Sequence, residues 1–518
     1  MTDVMEKDYT VDIHGKKFSR IAMVILIFIG TFGGMLMQTS LGTAIPTLMK
    51  DFSISMSTAQ QSTTWFLLAN GIMVPLSAYL ATKFPTRWLY VAAYIVLFGG
   101  MFLSYSAPTS SWSIFLIGRI LQACAVGVTM PLMQVALVNM FNPKQMGAVM
   151  GAGGIVIMLA PAIGPTYAGW LIVHKLSFFG LTFAASWRTI FLIPMIIVGI
   201  TAVLSIFIMR DVIPNRPMKL DFISVVLSVI GFGIFLLGFT NVATDGWGDF
   251  TNVILPIAAG IIIIGIFSWK QLRMSDPFLD LRVFKVKQFT LTVIAAALVT
   301  MAMMGVEMML PLYMQEVHGL SALDSGLVLL PGSLMMAVVA PLAGGIYDKI
   351  GAKRLAQIGF AILAIGTLPF LFFTATTPDH FVTLLYGLRM FGVGMVMMPV
   401  MTSAMNALPV QEVAQGTASN NTARQVASSV VVALLSSVAQ NVITNHMPAA
   451  HLKVTNPLAY ADKAINAMLT GYHASFAIGF AFAIIGFIVS FFLRSGKVLA
   501  GGRTATEVKT EEMKGEMK

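Results

Sequence analysis

The sequence is short of charge, of cysteine and of the motifs with which soluble enzymes bind nucleotides or metals. Charged residues make up 10% of its 518 positions, against about 25% in an ordinary soluble domain. The single cysteine, Cys124, excludes a disulfide within the chain. No Gly-x-x-x-x-Gly-Lys-Ser/Thr loop is present for ATP, and the seven histidines form no cluster with metal-ligand spacing. These absences disfavour an ATP-driven protein, a metalloenzyme and an intramembrane enzyme.

Long apolar runs are what the sequence has instead. A membrane-spanning helix needs about 20 predominantly apolar residues, and fourteen stretches meet that need. They lie at 21–44, 58–81, 89–106, 112–139, 147–172, 188–209, 222–240, 252–272, 289–313, 322–347, 355–374, 380–404, 417–443 and 472–493. We therefore predict an all-α polytopic membrane protein. The connection at about 444–471 is long and is predicted to carry a short helix or a hairpin.

The net charge of +10 reports membrane topology rather than a nucleic-acid partner. With the basic segment around Lys16, Lys17 and Arg20 placed in the cytoplasm, the cytoplasmic segments hold 24 Lys and Arg, and the outer ones hold five. This asymmetry follows the positive-inside rule. We predict a multi-pass protein of the cell (plasma) membrane with both termini in the cytoplasm, the lipid bilayer as its partner, and no nucleic acid.

The chain repeats itself. The segment "VPLSAYLATKFPTRW" (74–88) resembles "APLAGGIYDKIGAKR" (340–354), and 118–133 resembles 387–401. Three proline pairs share nearly one offset: 265 for Pro46 and Pro311, 266 for Pro75 and Pro341, and 268 for Pro131 and Pro399. Such duplication of a helical unit is common in transporters.

Six helices with their loops need about 200 residues, so the surplus is a helix pair inserted between two bundles. The predicted organisation is an N-terminal cytoplasmic tail (1–20), an N-terminal six-helix bundle (21–210), an inserted transmembrane pair (211–275), a C-terminal six-helix bundle (276–493) and a C-terminal cytoplasmic tail (494–518).

Four motifs in chain order carry a family resemblance that covers residues 20–495. They are "DPFLDLRVFKVKQF" (276–289), "QEVHGLSALDSGLVLLPG" (315–332), "GIYDKIGAKR" (345–354) and "NNTARQVASS" (420–429). The chain resembles the major facilitator superfamily in its fourteen-helix drug:proton antiporter branch, that of multidrug and quaternary-ammonium resistance exporters. The resemblance implies a monomeric transporter of small lipophilic substrates, without a cofactor and with the proton gradient as its energy source.

The motifs also imply roles for individual residues. Gly164 and Pro165, in "APAIGPTYAGW" (160–170), keep the antiporter motif, whose kink seals the two halves against leak in exchangers. Met37 stands where the branch usually has a first-helix aspartate, which removes the usual coupling residue. The cytoplasmic gate is expected at the four residues Asp348, Gly351, Arg354 and Arg424, the last in a gating or structural role.

One residue stands out among the 22 Asp and Glu. Glu307 lies deep in the ninth predicted helix, in "MAMMGVEMMLPLY" (301–313). A mid-membrane charge costs about 2.5–3.5 kcal/mol on insertion scales, so such a group is kept where it faces a bundle interior or a water-filled path. Withdrawal from water favours a neutral carboxyl group, which makes Glu307 a candidate proton carrier. Pro311 leaves the carbonyl of residue 307 without its helical donor, which predicts a hinge there.

Other polar residues fall at a similar depth. Counting 1.5 Å per residue places Glu307 about 9 Å and Arg119 about 10 Å below the outer surface, with Gln38 and Arg389 beside them. The resemblance implies that their helices line a central cavity, so these side chains are expected to share one polar layer near Met37. The alternative is a static ion pair of Glu307 with Arg119 or Arg389 that only fixes packing.

Methionines cluster around this layer, with Met304 and Met308 next to Glu307. Their flexible, polarizable side chains suit apolar partners of varied shape. The leading hypothesis is a multidrug exporter that exchanges protons for lipophilic, cationic compounds at Glu307 and confers antibiotic resistance. The alternative is an exporter of a lipid, fatty acid or metabolite anion, held by Arg119 and Arg389.

Overall fold

The secondary structure of the described residues is helical apart from one short hairpin and two isolated β-bridges. The computed structural model describes residues 11–141, 143–178, 181–215, 221–274, 277, 279–409 and 412–496. Among these residues, fourteen helical spans are long and apolar enough to cross a membrane. The prediction of an all-α polytopic protein with fourteen transmembrane helices is confirmed.

The first half of the chain contributes six spans. Its helices are α1 (Arg20–Thr39), continued by a 3-10 turn (Ser40–Ala44) into α2 (Ile45–Phe52), then α3 (Met56–Lys83), α4 (Thr86–Ser106), α5 (Trp112–Met140), α6 (Pro143–Val173) and α7 (Thr189–Ile208). An antiparallel hairpin of β1 (Leu176–Phe178) and β2 (Leu181–Phe183) joins α6 to α7, with Ser177 opposite Thr182.

The remaining spans follow in the same manner. The next pair is α8 (Phe222–Asp245) and α9 (Leu255–Arg273), the latter preceded by a π-turn (Phe250–Ile254). After a 3-10 turn (Leu281–Lys285) come α10 (Lys287–Leu312) with a terminal π-turn (Tyr313–Val317), α11 (Ala322–Thr367) with a 3-10 turn (Leu368–Phe372), α12 (Asp379–Asn406), α13 (Val413–His446), α14 (Leu452–Thr455) and α15 (Pro457–Ser490).

Two helices differ most from their predicted limits. α11 holds two spans, because the chain departs from helical geometry only at Gly351, with φ +76° and ψ 167°. The last helix begins at Pro457 and not near 472, because the side chain of Asn456 caps it by accepting from the Ala459 N–H at 3.1 Å and proline suits a first helical turn. The predicted short helix in this connection is α14.

The alternating spans place both ends of the described chain on one face of the bundle, here called the terminal face. Its loops are tied together, since the Ile13 N–H donates to the Asp211 carbonyl at 3.0 Å and Gly351 pairs with Gly496. The opposite face, which carries the α2–α3 and α13–α14 connections, is called the far face.

The two halves meet through α3 against α13 and α6 against α11. Near the far face these pairs are joined by hydrogen bonds: the Met56 N–H donates to Gln440 Oε1 at 3.1 Å, and Thr166 Oγ1 donates to the Gly326 carbonyl at 3.0 Å. Glycines permit this approach, because a Cβ on Gly326 would lie 2.9 Å from the Pro165 carbonyl oxygen. The far face is therefore closed.

The helix pair α8 and α9 packs on the outside of α3 and α13, where Leu68, Ile72, Leu236 and Ala433 form a separate apolar cluster. At the terminal face, Lys270 Nζ forms a salt bridge with Asp221 at 2.5 Å. The predicted division of the chain at 211 and 275 stays a prediction; this packing leaves the pair outside the seam between the halves.

Candidate functional site

A cavity of about 360 Å³ lies between the two halves. Its wall comes from α1, α3, α5 and α6 on one side and from α10, α11, α12 and α13 on the other. It reaches toward the terminal face, since Leu137 and Met401 lie within the last two turns of α5 and α12. The cavity is closed at the far face and lined by the helices that face the seam between the halves. This is the geometry of a transporter accessible from the terminal face.

Helix α10 presents one stripe of side chains to the cavity. On α10 the stripe is Thr300, Met303, Met304 and Glu307, with the i, i+3, i+4, i+7 spacing of one helical face. Met304 is therefore among the side chains that line the cavity.

Glu307 lies in the cavity wall with only 8% of its surface exposed. Among the described residues, its carboxylate has no hydrogen-bond partner and no salt bridge within 4.0 Å. Its electrostatic neighbour is Arg389. A carboxylate without a fixed partner is available to a proton or to a cation, whereas a static ion pair would have occupied it.

Gln38 accompanies Glu307 in the wall, and its Oε1 atom has no hydrogen-bond partner among the described residues. Pro311 lies in the last turn of α10, just before the π-turn that begins at Tyr313. Next to it, Gln60 Nε2 of α3 donates to the Met308 carbonyl at 3.3 Å. This bond joins the two halves at the end of α10 where the hinge is predicted.

Arg119 does not belong to the cavity, contrary to the predicted polar layer. Its guanidinium group is fully buried and donates to the Met37 carbonyl at 3.0 Å and to Gln122 Oε1 at 2.8 Å. It also lies 4.4 Å from the centre of the Phe66 ring. The side chain points between α1, α3 and α5, where it donates to the carbonyls of Met37 and Ser62.

Arg389 repeats this arrangement in the second half. It is fully buried outside the cavity wall, and it donates to the Ala302 carbonyl at 3.0 Å and to Thr367 Oγ1 at 2.8 Å. In each half an arginine of the fourth helix thus holds a carbonyl of the first helix. Both arginines anchor one helix to another in this structure, and Arg389 is also the charged neighbour of Glu307.

Replacing Arg119 by methionine is expected to destabilise the protein by about 3 kcal/mol or more. The change leaves the Met37 carbonyl and Gln122 without their donor, and each unsatisfied buried acceptor costs about 1–3 kcal/mol. Thermal unfolding in detergent measures the effect. The matched control is Arg354→Met, at an exposed arginine, which should change stability by less than about 0.5 kcal/mol. Unchanged stability with lost transport would contradict the anchoring role.

Two methionines predicted at the site lie elsewhere. Met37 is completely buried away from the wall, and Met308 is 2% exposed and faces the first half near Gly42. Twelve other methionines do line the cavity: Met35, Met130, Met133, Met150, Met158, Met303, Met304, Met336, Met390, Met397, Met398 and Met401. The wall is soft and apolar around a few polar groups, as in pockets that accept varied ligands.

Arg424, expected at the cytoplasmic gate in a gating or structural role, lies in the cavity wall. It lies 11 residues into α13, about 16 Å from the start of that helix. With Asn421, Gln425 and Ser428 it forms a polar stripe at i, i+3, i+4 and i+7. The stripe is visible in "NNTARQVASS", but depth alone was used to place the arginine, and depth does not tell which way a side chain faces.

The predicted gate and seal residues have different outcomes. The side chain of Asp348 lies outside the described part of the structure. Gly351 makes the left-handed break in α11 against Gly496, while Arg354 is exposed just after it. Gly164 packs on α1, where a Cβ would lie 3.3 Å from the Leu36 carbonyl oxygen, and Pro165 O accepts from Thr43 Oγ1 at 2.9 Å.

The site can therefore hold an apolar ligand among methionines and present it with two charged groups of opposite sign, Glu307 and Arg424. Holding such a ligand requires no set of catalytic residues. Access from one face and closure at the other are the requirements for carrying a ligand across a membrane.

Comparisons with known proteins agree with this geometry. Residues 27–432 match the model of the Major Facilitator Superfamily. The lincomycin resistance protein LmrB of Bacillus subtilis (strain 168) is 35% identical over 487 residues, which cover 93% of this chain and 98% of that protein. The multidrug resistance protein B homolog of Mycobacterium tuberculosis (strain CDC 1551 / Oshkosh) is 28% identical over 404 residues, 77% of this chain and 72% of the relative.

The fold is also found among solved structures. The crystal structure of a bacterial homologue of the human lysosomal transporter Spinster, inward-facing and occupied, superposes with a TM-score of 0.63. The match covers 92% of this chain and 97% of that one at 12% sequence identity, so the likeness concerns the fold alone.

Proposed function

Because the chain belongs to the Major Facilitator Superfamily, we propose that it is a proton-coupled exporter of lipophilic, cationic compounds, multidrug in range. The observation that carries the proposal is Glu307, an acid without a fixed partner in the methionine wall of the central cavity. The names of the two relatives, one a lincomycin resistance protein and the other a multidrug resistance protein, support export of drugs.

The terminal face is assigned to the cytoplasm, because most Lys and Arg of the connections fall on that side. The cavity then takes up its ligand from the cytoplasm or the inner leaflet. Separation of α3 from α13 and of α6 from α11 at the far face would open the same cavity outward, while the two halves close at the terminal face. The chain works as a monomer in the plasma membrane.

Glu307 couples the two fluxes by competition. A proton entering from outside neutralises the carboxylate and releases the cation, and loss of that proton to the cytoplasm restores the charge that binds the next cation. The energy comes from the proton gradient, without a cofactor. Gln38 and the methionines supply the remaining contacts.

The alternative of an exported lipid, fatty acid or metabolite anion is less well supported. Its anion was to be held by Arg119 and Arg389, but neither side chain lines the cavity, and both donate to carbonyl oxygens and to neighbouring side chains. A deprotonated Glu307 would also repel an anion in the same cavity.

The proposed function is tested with purified wild-type protein in liposomes that carry a pH gradient. Addition of ethidium, a lipophilic cation, is expected to release protons through the protein and to dissipate the gradient, and a protonophore should stop uphill ethidium transport. Ethidium transport that ignores the gradient, or transport of an anionic dye in place of ethidium, would overturn the proposal.

A further inference from the structure

The central cavity holds a second charge that the proposed exchange does not use. Arg424 projects from α13 into the wall that also contains Glu307. The Nε atom of its guanidinium group is buried without a hydrogen-bond partner. Within the described residues no other atom of this side chain is hydrogen-bonded or ion-paired either.

The two buried arginines discussed above show what a structural arginine does in this fold. Arg119 and Arg389 each donate to a carbonyl oxygen and to a side chain nearby, although Nη1 of Arg389 has no hydrogen-bond partner among the described residues. Arg424 has equally many donors, and its side chain uses none of them within the described part of the chain, although a charge in a membrane bundle is costly when nothing compensates it. Packing therefore does not explain it.

The surroundings of Arg424 hold it in place without neutralising it. The next residue, Gln425, donates to Asn70 Oδ1 of α3 at 2.9 Å, and Thr422 donates to the Gly71 carbonyl at 3.1 Å. These bonds fix the rotation of α13 and keep its polar stripe turned to the cavity. Contacts between the halves thus position the guanidinium group, which is available to a ligand in the central cavity.

Glu307 and Arg424 do not neutralise each other, since no salt bridge within 4.0 Å joins them in the described structure. They stand on α10 and α13, two walls of one cavity whose volume of about 360 Å³ suits a drug-sized molecule. A ligand that spans the cavity can meet both groups, with its apolar body against the methionines.

We propose that the preferred substrates are bipolar amphiphiles, whose positively charged nitrogen binds Glu307 and whose oxygen acceptor, above all a carboxylate, binds Arg424. The inference rests on the proposed function and narrows its substrate class, because a cation without an acceptor uses only one of the two groups. Arg424 is the specificity-determining residue, and a guanidinium group offers an acceptor oxygen strong, charge-assisted hydrogen bonds.

A matched pair of dyes tests the inference. Rhodamine 110 is a xanthene cation with a free carboxylate, and rhodamine 123 is its methyl ester. Fluorescence polarization measures the binding of each dye to the full-length protein in nanodiscs. We expect Arg424→Gln to weaken rhodamine 110 binding about tenfold or more. The affinity for rhodamine 123 should stay within about threefold of the wild-type value or increase. Arg273→Gln, the same change at an exposed arginine in the last turn of α9, should alter neither.

Arg424→Lys keeps the charge and serves as the second variant should the glutamine variant fold poorly. It is expected to retain most of the preference for rhodamine 110. The inference is overturned if the wild type binds only the ester, if Arg424→Gln weakens both dyes equally, or if it weakens neither. Failure of the wild type to bind rhodamine 123 at all would instead overturn the proposed export of lipophilic cations.

Discussion

Glu307→Gln is expected to abolish proton-driven export of a lipophilic cation such as ethidium while leaving a folded, membrane-inserted protein. The amide has the size of the carboxyl group but neither releases a proton nor carries a charge for the cation. Because the carboxylate has no hydrogen bond to lose within the described structure, the fold should be retained. Uphill transport in inverted vesicles should fall at least about tenfold, the scale of a lost charge-assisted contact.

The control for this change lies on the same helical segment. Glu316 is nine residues further on, in the π-turn after α10, where its carboxylate accepts from the Tyr472 hydroxyl. Gln at 316 still accepts that bond through its amide oxygen, so Glu316→Gln should transport nearly as wild type. Proton-dependent transport that survives Glu307→Gln would make this carboxyl group structural and move coupling to another residue.

The helices and the repeat were predictable because both can be recognised in the sequence without knowing which side chains meet in the fold. A run of about 20 apolar residues indicates a membrane span wherever it occurs, and prolines that recur at a common offset indicate a duplication. The limits of α11 and α15 were less predictable. Whether the chain breaks at Gly351 for one residue or for a loop depends on its contact with Gly496, far away in sequence.

The site was predicted in part, and the errors have one cause. Glu307 was found because an acid deep in an apolar helix needs a polar surrounding. Arg119 was misassigned because counting residues along a helix does not tell which way a side chain faces; its guanidinium group donates to carbonyls of α1 and α3. The spacing of the stripe around Arg424 carried the missing information, since four polar residues on one face of an apolar helix indicate the side that meets water.

Gly169→Leu is expected to open the far face and to hold the protein in the state that is open at that face. A Cβ on Gly169 would lie 2.8 Å from the carbonyl carbon of Ala322 and from Leu323 Cα. These are backbone atoms that cannot rotate away, so α6 and α11 must separate. The state open at the terminal face is destabilised relative to the state open at the far face, and even a few kcal/mol inverts a two-state population. Transport should fall sharply because the exchange cycle needs both states.

A cysteine at Met308, in a Cys124→Ser background, reports the change. Met308 is 2% exposed beneath the closed far face, so a membrane-impermeant maleimide added to whole cells should label it slowly, and at least about tenfold faster with Gly169→Leu. Gly151→Leu is the matched control on α6, because a Cβ there meets nothing within 4 Å. Equal labelling with both leucines would show that the contact at Gly169 does not hold the far face shut. Faster labelling from outside the cell would also place the far face there, as the distribution of Lys and Arg predicts.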